Sequence, residues 1–347
     1  MNLNMFDLVT SANVVAYWLE QNVNRQPMLG ETLFPYKREI GIRLDWIKGA
    51  SNQPIALRLS AFDAKAIRRD REGIEQYTTK MPFFKESMYI DEDLRQQLNM
   101  LLQTSNKELI NSILNRIFAD QIKLINASLV SLERMRMEAL TSGIITLASN
   151  GVSYKYDYAV PADQKKTTTK SWSDASADII KDINDIVADM RAKGVDITRA
   201  ICNNSVVNNI IKNTNIKNQI YVLAGGNITS ISSTKALNFI EQETGVVLYS
   251  YDNVYVDESG NATKYIPDDT IVFIPDGTLG ETHMGVTPEE SDLLNKAGSD
   301  VTLVNNGVAV TAYDTEDPVN VEMKVSMVAL PSFERANEIV IFDTETE

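Results

Sequence analysis

The chain has 347 residues, 44% hydrophobic and 23% charged, with a formal net charge of −14 and a single cysteine. That length supports two or more packed regions, and one cysteine excludes an internal disulfide and fits a reducing compartment. The acidic balance argues against a nucleic-acid grip over the whole surface, no apolar run approaches the ~20 residues of a membrane helix, and the start lacks the basic residues of a signal peptide. The charge is unevenly divided: residues 241–347 hold 22 acidic and 4 basic side chains, while the first 240 hold 25 and 29. A basic front and an acidic back attract copies head to tail, a contact that builds rings, shells or filaments. A solvated acidic surface is the plainer reading of the same numbers.

The first 30 residues read as an arm. Ser11 is placed to cap a short helix with Val14, Val15, Trp18 and Leu19 on one side, ended by Pro27 and Gly30. An extended flap follows, in which Ile40, Ile42, Leu44 and Trp46 alternate with Gly41, Arg43 and Asp45. After a turn-rich tip at 48–54, Ile55, Leu57, Leu59 and Ala61 alternate on the way back, which predicts a hairpin with one apolar face that needs a surface to cover. The next segment is basic, with Lys65, Arg68, Arg69 and Arg71.

A helix of roughly 35 residues is predicted from about 106 to 140, with Ser105 and Glu108 at capping-box spacing. Ile110, Ile113, Ile117, Leu124, Leu129, Leu132 and Met135 form its apolar stripe, and nothing breaks it before Gly143. Tyr154, Tyr156 and Tyr158 suggest a strand and 161–170 a polar loop. A second helix follows Ser173, with Ile179, Ile183, Val187 and Met190 on one face and a stop at Gly194. Short strands and helices then alternate through 199–202, 205–212, 219–223, 233–242 and 245–251. Val254–Val256 and 264–266 flank a turn, Thr270 to Ile274 reads as a buried strand, and Val319, Val321, Met323, Val325 and Met327 share one face of a tail strand before Ile339 to Phe342. The fold class is α+β, with an α/β lobe at 171–275 and a second lobe made of the long helix and the acidic tail strands.

Catalytic parts are scarce. The one histidine, His283, has no evident nucleophile beside it, and one His with one Cys builds no zinc site. Walker A and GxGxxG sequences are absent. The pairs Asp268-Asp269 and Asp257-Glu258 lack calcium-loop spacing and read as solvated turns, and Cys202 reads as a small buried hydrophobe. The basic run at 65–71 has no interleaved aromatics for base stacking, so acidic protein surface is its better partner. No cofactor, metal or catalytic residue is expected, and the chain is read as a structural protein and not an enzyme.

Six ordered pieces carry a resemblance. Leu29-Gly30-Glu31-Thr32-Leu33-Phe34-Pro35, Met81-Pro82-Phe83-Phe84-Lys85-Glu86 and Ile90-Asp91-Glu92-Asp93 come first. Tyr265-Ile266-Pro267-Asp268-Asp269-Thr270 and Gly285-Val286-Thr287-Pro288-Glu289-Glu290 follow, and Val328-Ala329-Leu330-Pro331-Ser332-Phe333 closes the set. Together they resemble the lambda-type phage major capsid proteins, the capsid protein E family. The resemblance implies the Hong Kong 97-like capsid fold, with an N-terminal arm at 1–31 and an extended loop at 32–88. The spine helix and the first part of a peripheral domain take 89–170, the axial domain 171–275, and the peripheral strands and C-terminal segment 276–347. It also implies a virion shell, icosahedral or prolate, of hexamers and pentamers assembled in the bacterial cytoplasm. Its implied partners are other copies of the chain, a scaffolding protein, a portal protein, a decoration protein on some lattices, and packaged double-stranded DNA bound without sequence specificity. Lys48 sits where some members of the fold cross-link, which this family generally does not do. An encapsulin-like compartment and a phage tail-tube protein are the alternatives, and a hydrolase built on Asp and Glu pairs is the weakest. The expected inter-subunit contact uses the flap's apolar Ile42, Leu44, Trp46 and Leu57, with basic Arg58, Arg68, Arg69 and Arg71 facing a neighbour's acidic tail.

Overall fold

The computed structural model describes residues 5–48, 75–104, 107–149, 151–224, 230–257, 259–317 and 319–346. Helices Met5–Leu8 (α1), Ser11–Gln21 (α2) and Leu29–Leu33 (α3) lead to the short strand Tyr36–Arg38 (β1). Strands Arg43–Lys48 (β2) and Glu75–Lys80 (β3) pair with each other, and Phe83–Tyr89 (β4) follows. Helices Glu92–Thr104 (α4) and Lys107–Ser142 (α5) precede the hairpin Ile144–Ser149 (β5) and Val152–Asp157 (β6), then the strand Lys165–Thr167 (β7). An alternating run comprises Ile179–Ala192 (α6), Ile197–Cys202 (β8), Asn204–Lys212 (α7), Thr214–Ala224 (α8), Ser233–Thr244 (α9) and Val247–Ser250 (β9). The hairpin Val254–Val256 (β10) and Ala262–Lys264 (β11) is followed by Thr270–Pro275 (β12) and Thr282–Met284 (β13). The last strands are Asp300–Val304 (β14), Val308–Glu316 (β15), Val319–Pro331 (β16) and Val340–Asp343 (β17).

The chain divides into two compact units, each built from separated stretches. The first takes Met1–Asp45, Thr78–Met135 and Glu281–Ser332. Its centre is β16, long enough to pair with β15 along one edge and with β4 and then β13 along the other. β14 extends the sheet beyond β15. Helix α2 starts at an N-cap that is Thr10, whose hydroxyl accepts from Asn13 N. Ser11, the expected cap, is buried instead: its backbone N–H and its hydroxyl donate to the Asp300 carboxylate at 2.6 and 2.5 Å. A carboxylate against the first turn of a helix is favourable because the free N–H groups there carry partial positive charge. The helix ends at Gln21, and Gly30 lies inside α3 instead of terminating the earlier helix.

At 36 residues, α5 is about 54 Å long by the usual rise of 1.5 Å per residue. Six of the seven expected stripe residues, Ile113 through Met135, are buried and Ile110 is half-buried. Asn126, which interrupts the stripe, accepts from the Trp18 indole N–H at 2.9 Å. Glu133 is also buried, and its carboxylate takes the N–H of Gly30 at the start of α3 at 2.9 Å. A buried carboxylate needs such donors to offset its lost hydration.

The second unit takes Trp46–Tyr77, Arg136–Gly280 and Phe333–Glu347. Its five-stranded sheet runs β7-β17-β12-β8-β9, with β12 antiparallel to both neighbours and the outer pairs parallel. β12 is apolar on both faces, and Ile271, Val272 and Phe273 are fully buried, the pattern of a strand sealed from water on either side. The face of α6 made by Ile179, Ile183, Val187 and Met190 packs into this core with Trp172 and Phe239. Asn203 caps α7 through its side-chain oxygen, which accepts from Ser205 N, while its amide donates to Asp268. Three expectations change here. Gln219 to Leu223 is helical, within α8, and β17 pairs with β12 and not with the tail strands. The segment at 161–170, expected to be a loop, contributes β7 to this sheet.

Candidate assembly surface

The base of the flap is where the basic front of the chain meets its acidic back. β1 lies parallel to β13, with Lys37 opposite His283 and Arg38 opposite Met284. Lys37 Nζ reaches Glu281 at 2.6 Å, and Arg38 pairs with Glu290. His283 is buried, with Nδ1 2.9 Å from Glu39 and Nε2 3.0 Å from the Ser332 hydroxyl. Both ring nitrogens therefore have structural partners. The charge asymmetry read as an attraction between copies is used in part within one chain.

Between this anchor and β2 the chain bends. Gly41 has φ +110, and its carbonyl accepts from Val286 N at 3.2 Å. The backbones run so close that a Cβ on Gly285 would stand 2.5 Å from the Gly41 oxygen, so only glycine fits. Ile40 is 99% exposed and Ile42 is 45% exposed, because the ladder begins only at Arg43. Leu44, expected to lie on a neighbour, is 0% exposed within its own chain and is removed from that contact. Trp46 lies in β2. Leu57, Arg58, Arg68, Arg69 and Arg71, along with the expected return strand at 55–61, fall outside the described residues.

On the other side of the flap, β4 joins the central sheet. Phe83 is 44% exposed, with the Lys85 ammonium 5.9 Å from its ring centre. Further along, Tyr89, Glu322 and Tyr313 stand directly opposite one another across β4, β16 and β15. Burial pushes the Glu322 carboxyl up, but hydrogen bonds from Ser87, Tyr313 and Tyr89 and the nearby Lys324 charge outweigh it, and its pKa falls below the ordinary value. Lys324 also pairs with Glu289 at 2.8 Å and lies 5.8 Å from the Tyr313 ring centre. Glu289 is buried, which pushes its carboxyl up, yet Lys324 and Ser326 hold it lower than usual. Sequence patterning did not single out this polar row, although the alternation of Glu322 and Lys324 with buried Val321, Met323 and Val325 marks a sheet with one wet face. Cys202 is buried in the other unit, and burial together with Asp252 pushes its thiol up to about 12, so it stays protonated and inert.

Residues 10–344 match the family described as phage major capsid protein E. The chain belongs to the phage major capsid protein E family. It is thus a structural protein of the tailed-phage major capsid class, which assembles with its own copies into a shell. No curated protein sequence matches it. Among solved structures, a prophage protein of E. coli CFT073 assigned as a capsid protein is similar with a TM-score of 0.62 at 16% identity, covering 96% of this chain and 99% of the other. A phage-related protein of Bordetella bronchiseptica RB50 is similar with a TM-score of 0.55 at 11% identity, covering 97% of each chain. At such identities the likeness speaks for the fold, and the fold of this capsid protein is the expected Hong Kong 97-like one. No helix among the described residues is long and apolar enough to cross a membrane.

Proposed function

We propose that this capsid protein forms hexamers and pentamers that close into an icosahedral or prolate head around double-stranded DNA, and that the flap makes the lateral contact. The observation that carries the contact is the uncovered pair Ile40 and Ile42 at the flap's root, 99% and 45% exposed. Apolar side chains left so open gain by meeting a second surface. In this reading Ile42 works with Trp46 and Leu57, while Arg58, Arg68, Arg69 and Arg71 face acidic residues of the neighbour's tail. Residues 1–31 act as the arm, 32–88 as the extended loop, 89–170 as the spine with the first peripheral part, 171–275 as the axial domain, and 276–347 as peripheral strands. An interface of about 1,600 Å² per contact suffices, since a shell multiplies modest contacts.

The same reading includes a scaffolding protein, a portal protein, a decoration protein on the finished lattice and assembly in the bacterial cytoplasm, with no catalytic step. DNA is enclosed without sequence-specific grip, because an acidic wall limits adhesion to phosphates. Electron microscopy of the expressed chain tests the proposal: closed shells are expected. Tubes would replace it with a tail-tube reading, and shells filled with a cargo enzyme would replace it with a compartment reading. Charge reversal at Arg68, Arg69 and Arg71 tests the contact. Assembly unchanged by that reversal at both low and high salt would remove the basic segment from it.

A further inference from the structure

β14 and β15 are joined by only three residues. Val304 and Val308 face each other across the ladder, leaving Asn305, Asn306 and Gly307 to turn the chain. Both asparagines have left-handed φ values, 46° and 59°, which asparagine tolerates better than most residues. Asn306 is exposed. An asparagine followed by glycine is chemically vulnerable, because the next backbone nitrogen has no Cβ to shield its approach to the side-chain amide. Here that peptide is held on both sides. The Gly307 N–H donates to the Val304 carbonyl at 3.1 Å. The Asn306 carbonyl accepts from Arg38 Nη1 at 2.8 Å, and the same nitrogen donates to the Gly285 carbonyl at 3.1 Å. Glu290 holds the other arm of the guanidinium. A Cβ on Gly307 would run into that guanidinium, so the clamp requires the glycine that makes the site reactive.

We propose that Asn306–Gly307 is a self-modification site kept silent by Arg38. In the reaction the Gly307 nitrogen loses its proton and attacks Asn306 Cγ. The new N–Cγ bond forms, the Cγ–Nδ2 bond breaks, and the amide leaves as ammonia after taking up a proton, which closes a five-membered imide. Water then opens the ring at either carbonyl to give aspartate or isoaspartate. Only water is consumed, and nothing is oxidised or reduced. For the attack, the nitrogen must give up its bond to Val304 and the peptide plane must rotate, which the Arg38 hydrogen bond opposes. The rate follows local opening of the turn. The product is disruptive: a new carboxylate arises on the turn that Arg38 clamps, and isoaspartate adds a backbone carbon to a three-residue connection that fixes strand register.

The test uses the purified full chain at mildly alkaline pH, in buffer and in denaturing urea. Peptide mapping with fragmentation separates Asn306 from Asn305 and Asn320 in the stretch 297–324. Conversion at Asn306 is expected to be roughly tenfold or more slower in buffer than in urea, the protection that a local opening equilibrium gives. Arg38→Ala is expected to lose most of that protection, and Glu290→Gln, which takes away the charge that holds one arm of the guanidinium, part of it. Equal rates in buffer and urea would overturn the proposal. So would a variant that keeps the parent's far-ultraviolet circular dichroism yet converts no faster than the parent. If Arg38→Ala does not fold, Glu290→Gln decides by the same measure.

Discussion

The two sheets meet water differently. β12, at the centre of the five-stranded sheet, is buried on both faces, and its side chains from Ile271 to Ile274 are apolar. β16, at the centre of the other sheet, buries Val321, Met323 and Val325 while Glu322 and Lys324 stay half-buried on the opposite face. From Ile271 to Ile274 the central strand of the first sheet presents no side-chain polar group to water on either face. The second keeps a wet side on which charges and hydroxyls can be arranged, and it is the sheet that anchors both ends of the flap.

Breaking the sealed sheet has the largest expected effect. Phe273→Ala leaves a cavity against Phe342 and is expected to cost about 3–5 kcal/mol, read as a lower urea midpoint. The wet sheet is weakened next. Lys324→Ala strands the buried Glu289 carboxylate and is expected to cost about 3 kcal/mol in the same measurement.

That pair also predicts an acid response. Glu289 and Glu322 both titrate below the ordinary 4.5 in the folded chain, so their contribution is complete above that value and is lost as the pH falls through the lowered values. Urea midpoints measured from neutral pH downward are expected to drop below about pH 4.5, and Lys324→Ala to flatten that drop. A variant with the parent's full slope would assign the acid response to other carboxylates.

Asn203→Ala removes a helix cap and a buried amide at once and is expected to cost about 1–2 kcal/mol. The smallest effect on stability is expected at the flap. Ile40→Ser with Ile42→Ser should leave the stability read from the urea midpoint within about 0.5 kcal/mol of the parent, because neither side chain is buried. The same double variant should lower the yield of shells in sedimentation. A full yield would show that the flap's root makes no contact between copies.

The elements governed by local periodicity were legible from residues alone. The long helix expected at 106–140 spans Lys107–Ser142, and the hairpin expected from 254–256 and 264–266 pairs Val254–Val256 with Ala262–Lys264, its second strand two residues earlier than the alternation suggests. Local pattern misled where tertiary contacts override it. The stretch Gln-Ile-Tyr-Val-Leu at 219–223 favours a strand, yet buried Asn213 accepts from Ile216 N and donates to the Ala177 carbonyl, which starts a helix there. Helix α4 was overlooked although Leu94 and Leu98 stand four apart on a buried face and Asp91 accepts from Leu94 N. The Asn-Gly turn between β14 and β15 carries a standard hairpin signal of its own. The pairing of β1 with β13 joins residues some 246 positions apart, and nothing local announces it. At the flap's root, alternation puts Ile42 and Leu44 on one face, but with the bend at Gly41 the first lies outside the ladder and the second is covered.

The order in which the ribosome delivers the chain gives one of these features further weight. β16 sits between β4 and β15, so the sheet cannot close until residues near 331 have been synthesised. The other unit waits as well, since β17 lies between β7 and β12. A polypeptide cut short before Val319 therefore lacks the central strand of one sheet and an inner strand of the other. Broken translation products would be handed to proteases unfolded, and few would be admitted as defective tiles into a growing wall.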